Sequence, residues 1–219
     1  MSYALVIYAH GFAIAGGVLL ADDAALRDVE EALAIAERSS EDFALGLARW
    51  ALGVALVHRE SLAERERGLA VLGQVRDMCL EGRFYLFVLP MVDVWVTRER
   101  ARCGDRDGGI PKMWAAIDDL FRAGQQLYAV PATGFLVETL LERGTRGDVA
   151  EAEAVIERLA AAPADEGLVI RDIWLLRLRA LLARTYGDAT AYAHFRDRYR
   201  DMAKTLGFEG HIEWAEAIP

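Results

Sequence analysis

The sequence predicts an all-α fold: an α-α superhelix of about five antiparallel helix hairpins, closed by a short C-terminal capping helix. Three observations carry the prediction. The composition is 54% hydrophobic and rich in Ala and Leu, the strongest helix formers, with only 5 prolines and no runs of alternating Val, Ile and Thr to form strands. Short segments recur at an offset of forty positions, as repeat architectures require. Nearly apolar segments alternate with charged, striped ones, the pattern of two helix layers with different exposure.

The repeat is visible in two places. Tyr3-Ala4-Leu5 recurs as Phe43-Ala44-Leu45, and more loosely as Phe84-Tyr85-Leu86, each opening an apolar run. Gly147-Asp148 recurs as Gly187-Asp188. In these steps Gly suits the left-handed residue that ends one helix, and Asp caps the free N–H groups that open the next. Gly104-Asp105, followed by Pro111, is a longer version of the same break, with Pro near the start of the second helix.

Taken in order, the hairpins pair 2–20 with 22–39, 42–57 with 62–80, 84–102 with 111–122, 129–143 with 148–161, and 168–186 with 188–206. A helix at 211–217 caps the end. First helices are apolar on all sides; between Phe43 and Val57, Arg49 is the only charge. Second helices carry a stripe, as Val149, Ala152, Val155, Ile156 and Leu159 do among Glu and Arg. No segment reads as a flexible linker. The loosest, 160–167, is of loop length, so a single helical-repeat domain over 1–219 is expected.

Charge and cysteine usage narrow the function classes. A net charge of −9 and a pI near 5.0 repel phosphate backbones, which argues against nucleic acid as a partner. Two cysteines, Cys79 and Cys103, show no paired spacing and read as buried free thiols in a reducing cytoplasm. The first 21 residues carry no Asp, Glu, Lys or Arg, a length that could span a bilayer. No basic residue precedes that run, glycines interrupt it, and it matches the internal segment at Phe43; it is expected to be an inner helix and not a membrane span.

No catalytic constellation is expected. His10, His58, His194 and His211 have no i, i+4 partner, and the adjacent acids Asp22-Asp23, Glu30-Glu31 and Asp118-Asp119 diverge by about 100° on a helix. The Gly16-Gly17 and Gly108-Gly109 pairs lack the Lys and the preceding strand of a phosphate loop. Neither a cofactor nor a metal is therefore expected.

Two sets of residues remain as a possible interaction surface. Each first helix carries an aromatic, and Trp50, Trp95 and Trp174 either fill the space between hairpins or line a concave groove. Arg196, Arg200 and Lys204, at i, i+4 and i+8, form a basic stripe that either pairs with its own acids, Asp197 and Asp201, or docks an acidic partner.

The hairpins resemble tetratricopeptide-type repeats, with a period near forty in place of about 34 and without the intact consensus. The C-terminal run from Tyr199-Arg200-Asp201-Met202-Ala203-Lys204-Thr205-Leu206-Gly207-Phe208-Glu209-Gly210-His211 to Trp214-Ala215-Glu216-Ala217 is more specific. It resembles the tail of actinobacterial multidomain signalling proteins, in which a class III adenylyl/guanylyl cyclase domain precedes an AAA-type signal-transduction ATPase and a helical-repeat region like that of MalT- and LuxR-type regulators. The resemblance covers the last third; the remainder shares architecture. It implies a non-catalytic regulatory or scaffold arm whose partners are the upstream cyclase/ATPase domains or another protein. A free-standing peptide-binding module is the other reading. End faces of a truncated array also leave room for a homodimer.

Overall fold

A computed structural model describes residues 2–39, 41–163 and 168–218. It is all-helical. The helices are α1 (Ser2–Ala15), α2 (Asp23–Ser39), α3 (Asp42–Val57), α4 (Leu62–Leu80), α5 (Leu89–Arg102), α6 (Arg106–Arg122), α7 (Gln126–Arg143), α8 (Arg146–Ala161), α9 (Val169–Tyr186), α10 (Ala189–Leu206) and α11 (Glu209–Ala217). A 3-10 turn, Leu86–Val88, precedes α5. Consecutive helices pack as hairpins, consistent with an α-α repeat. No described helix is long and apolar enough to cross a membrane. Of the loop expected at 160–167, positions 164–167 lie outside the described residues.

The chain divides into two compact units, 1–99 and 100–219. In the first, α3 is the central helix, with α1, α2 and α4 packed around it. Twelve of its sixteen residues are buried, against five of nineteen in α4, so the apolar first helix is indeed the covered one. In the second unit α7 takes the same place among α6, α8 and α9, while α10 packs on α9 and α11 on α10.

Several boundaries differ from the sequence expectation, each for a local reason. Helix α1 ends at Ala15, five residues early. Gly17 takes a left-handed φ of 76°, and Val18 N–H reaches back to the Ala13 carbonyl at 2.7 Å, a Schellman-type closure. Helix α5 starts at Leu89 and not at 84, because Pro90 occupies the first turn, where its missing N–H costs nothing. Helix α6 starts at Arg106 and not at Pro111: Asp105 accepts the Gly108 N–H at 3.1 Å, and that cap outweighs a proline inside the helix. Helix α7 likewise begins at Gln126, with Pro131 inside.

The two Gly-Asp steps are not equivalent. Gly187 ends α9 in the left-handed region and Asp188 accepts the Ala191 N–H at 2.9 Å, as expected. At the other step the left-handed residue is Gly144, and Thr145 is the cap. Thr145 and Asp148 exchange side-chain and backbone hydrogen bonds of 3.2 and 2.9 Å, and Gly147 lies within the first turn of α8. The capping box placed the break three residues earlier than the dipeptide suggested.

What locks one hairpin to the next is a pair of devices that repeat at the hairpin spacing. In the first, a glycine on one inner helix receives an aromatic ring from the next hairpin, from its inner helix or, at Phe84, from the turn that precedes it. A Cβ at Gly11 would strike the Trp50 ring, one at Gly46 the Phe84 ring, and one at Gly134 the Trp174 ring. In the second, ion pairs span 34 to 41 positions: Arg59–Asp23, Arg65–Glu99, Arg67–Glu30 and Arg83–Asp42 in the first unit. Arg143–Asp107, Arg158–Asp118 and Arg177–Glu138 do the same in the second, at offsets of 36, 40 and 39.

Candidate functional site

The three tryptophans are core. Trp50 and Trp95 are 0% exposed and Trp174 is 1% exposed. Trp50 packs against Tyr8, Phe12 and Trp95 at centroid distances of 4.7, 5.1 and 6.0 Å. Trp174 packs against Phe135, His211 and Trp214 at 5.9, 5.5 and 5.5 Å. Rings so enclosed fill the space between helices and present nothing to an incoming peptide.

The basic stripe on α10 is not one surface. Arg196 pairs with Asp197 at 2.9 Å and lies 5.3 Å from the Tyr192 ring centre. Arg200 donates to the carbonyls of Ala215 and Ile218 at 3.1 and 2.8 Å, so it satisfies the C-terminal end of α11. Lys204 is exposed and borders a cleft of ≈ 270 Å³ between α10 and α11. Cys79 is buried as expected, and burial pushes its thiol up, but Cys103 is exposed because α5 ends just before it. Among the described residues no group of three or more His, Cys, Asp or Glu is placed to hold a metal ion.

A site that the sequence did not nominate lies between the inner helices α7 and α9. An open groove of ≈ 500 Å³ has Glu138 and Glu142 on its α7 wall and Arg177 and Arg184 on its α9 wall, with Leu141 and Leu181 among its lining. These residues recur at i, i+3/i+4 and i+7, so each helix turns one continuous face to the groove.

Arg177 is the best-held group there. Its Nε and Nη2 donate to Glu138 Oε1 at 2.9 and 2.8 Å, and the two side chains are only 14% and 18% exposed. Its guanidinium lies 5.3 Å from the Trp214 ring centre. Burial alone would lower its pKa, but Glu138 and Tyr199 outweigh it and hold the guanidinium charged. Tyr199 is itself fully buried; burial pushes its phenol up to about 12, with Arg177 opposing. The Tyr199 hydroxyl lies 2.9 Å from His211 Nδ1 and donates to the His211 carbonyl at 3.1 Å. One polar cluster thus joins α7, α9, α10 and α11 at the base of the groove.

Sequence reasoning missed this cluster because its members are ordinary residue types dispersed over 74 positions, from Glu138 to His211 counted inclusively. A signal did exist: Gly134 and Trp174 are 40 apart, and Glu138 and Arg177 are 39 apart, so both repeat-spaced pairs register α7 against α9. The arrangement lines an open groove with charges of both signs. No protein-family model, curated protein or solved structure matches the chain.

Proposed function

We propose that this chain is a non-catalytic regulatory or scaffold helical-repeat domain of a cytoplasmic cyclase/ATPase signalling protein, making contacts within that protein or with another. One observation carries the reading: buried aromatic rings and repeat-spaced ion pairs hold hairpin to hairpin, while the inner-helix groove lined by Glu138, Glu142, Arg177 and Arg184 stays open. A charged, open groove between two packed helices is suited to gripping a protein segment. The C-terminal resemblance supplies the identity of the partner domains. The test is the genomic reading frame: a class III cyclase or AAA-type ATPase domain in frame with this segment supports the proposal. A frame encoding neither contradicts the cyclase/ATPase assignment.

The same groove favours a second reading, a free-standing peptide-binding module. Trp50, Trp95 and Trp174 are buried and line no groove for a peptide. The α7–α9 groove offers a surface for it. Isolation of the segment as a complete, separately expressed protein, binding a peptide through Arg184, separates this reading from the first.

A further inference from the structure

We propose that the α7–α9 groove takes an acidic protein segment, one that sets a carboxylate on Arg184 and an apolar side chain against Leu141 and Leu181; the inference rests on reading that groove as the contact surface. Four ionic side chains line the groove, Glu138 and Glu142 from α7 and Arg177 and Arg184 from α9, so the lining is neutral in sum. What a ligand meets is decided by which of them are already engaged.

Three are engaged within the chain. Arg177 Nε and Nη2 both donate to Glu138 Oε1, at 2.9 and 2.8 Å, and neither side chain is more than 18% exposed. That pair adds no net charge to the groove. Glu142 faces Arg106 of α6 at 3.5 Å. Arg184, by contrast, is exposed and makes no hydrogen bond or ion pair among the described residues. Its neighbour Thr185 offers no spare donor, because its hydroxyl donates to the Leu181 carbonyl at 3.0 Å. The charge left for a ligand is therefore a single guanidinium in the last turn of α9.

An arginine in a last turn complements the helix dipole and by itself marks no site. Arg184 differs in its setting: Leu181 precedes it by one turn on the same face of α9, and Leu141 lies on the α7 wall of the same open groove of ≈ 500 Å³. A carboxylate matches the planar fork of a guanidinium, and the leucine step buries an apolar side chain next to it. A basic segment would meet Arg184 as a like charge and would have to displace Arg106 to reach Glu142. Leu181 and Arg184 are about 4.5 Å apart along the helix axis, so the partner's acid and its apolar residue lie within one helical turn of each other. The chain carries −9 overall, so its net field does not draw an acidic segment, and recognition is left to the local contact.

A phage-displayed random peptide library selected on the whole chain, and in parallel on Arg184→Glu, tests this. The wild type should enrich peptides with Asp or Glu within about four positions of Leu, Ile, Val or Phe, and Arg184→Glu should enrich Lys or Arg in place of the acid. By fluorescence anisotropy the acidic peptides should bind Arg184→Glu about tenfold more weakly than the wild type, and Arg184→Gln should lie between. Their amide shifts on the wild-type chain should fall on α7 and α9. Peptides that shift α7 and α9 but lack an acid, or that bind Arg184→Glu equally well, overturn the acidic partner and leave the groove as the contact surface. Should no recovered peptide shift α7 and α9, both readings fall. If Arg184→Glu does not fold, Arg184→Gln decides, and undiminished binding of the acidic peptides to it overturns the proposal.

Discussion

Replacing Gly134 with Ala should destabilise the chain, although helix propensity alone predicts the reverse. In a helix interior Gly→Ala gains about 1 kcal/mol from reduced backbone freedom. At Gly134, however, the new Cβ would lie within van der Waals contact of three Trp174 ring atoms, the farthest at 2.9 Å. The ring is 1% exposed and packed by Phe135, His211 and Trp214, so it has nowhere to retreat. Forcing a methyl into such packing costs about 1–3 kcal/mol, which outweighs the propensity gain.

Gly73 supplies the control. It lies in α4 with nothing within 4 Å of its would-be Cβ, so Gly73→Ala should stabilise by about 0.5–1 kcal/mol. Urea unfolding of the two variants, followed by far-UV circular dichroism, should therefore shift midpoints in opposite directions. Shrinking the ring in Gly134→Ala/Trp174→Phe should recover part of the loss, the signature of a coupled pair. A Gly134→Ala variant as stable as Gly73→Ala would refute the glycine–ring lock.

Other perturbations read other parts of the account. Asp148 is held down to about 2, chiefly by the Arg143 guanidinium at 2.6 Å and with help from Thr145, although burial opposes this. Its depressed pKa means the α7–α8 turn is stabilised above the ordinary carboxylate value and loses about 2 kcal/mol as pH falls from about 4 through about 2; Asp148→Asn should flatten that part of the acid-unfolding curve. Asp188→Ala removes the acceptor for the Ala191 N–H and should cost about 1 kcal/mol, seen as a lower thermal midpoint and faster exchange in the first turn of α10. Glu138→Gln removes the carboxylate charge facing the half-buried Arg177 while leaving an acceptor, and should cost about 2 kcal/mol, with the loss read by urea unfolding.

Much of the architecture is legible in the sequence. Helices α3 and α4 occupy the spans their patterns predict, and α2, α9 and α10 differ by a single residue at the start. Those ends are written in local chemistry: Ser61 accepts the Glu64 N–H, and Asp188 follows Gly187. The misplaced ends are those where two local signals compete. Gly16-Gly17 inside an apolar run, Pro111 against the Asp105 cap, and Gly147 against the Thr145–Asp148 box each required knowing which signal prevails.

The groove was not legible for a different reason. Its charged residues are unremarkable on their own helices and meet where α7 and α9 pack, with Gly134 of α7 admitting the Trp174 ring of α9. Likewise Arg196, Arg200 and Lys204 share a stripe by periodicity, yet Arg200 is turned to the end of α11 by a contact no local pattern encodes. Periodicity places a residue on a face; what that face meets is decided by tertiary packing.

The central claim is that this domain acts by contact through the α7–α9 groove. Site-specific photo-cross-linking from position 184 in cells of the source organism, with mass spectrometry of the captured peptides, tests it most directly. Position 66, exposed on α4, serves as control. The account predicts that position 184 captures peptides of a cyclase or ATPase domain, in the same polypeptide or another, and that position 66 does not. Identical capture patterns from the two positions would contradict it.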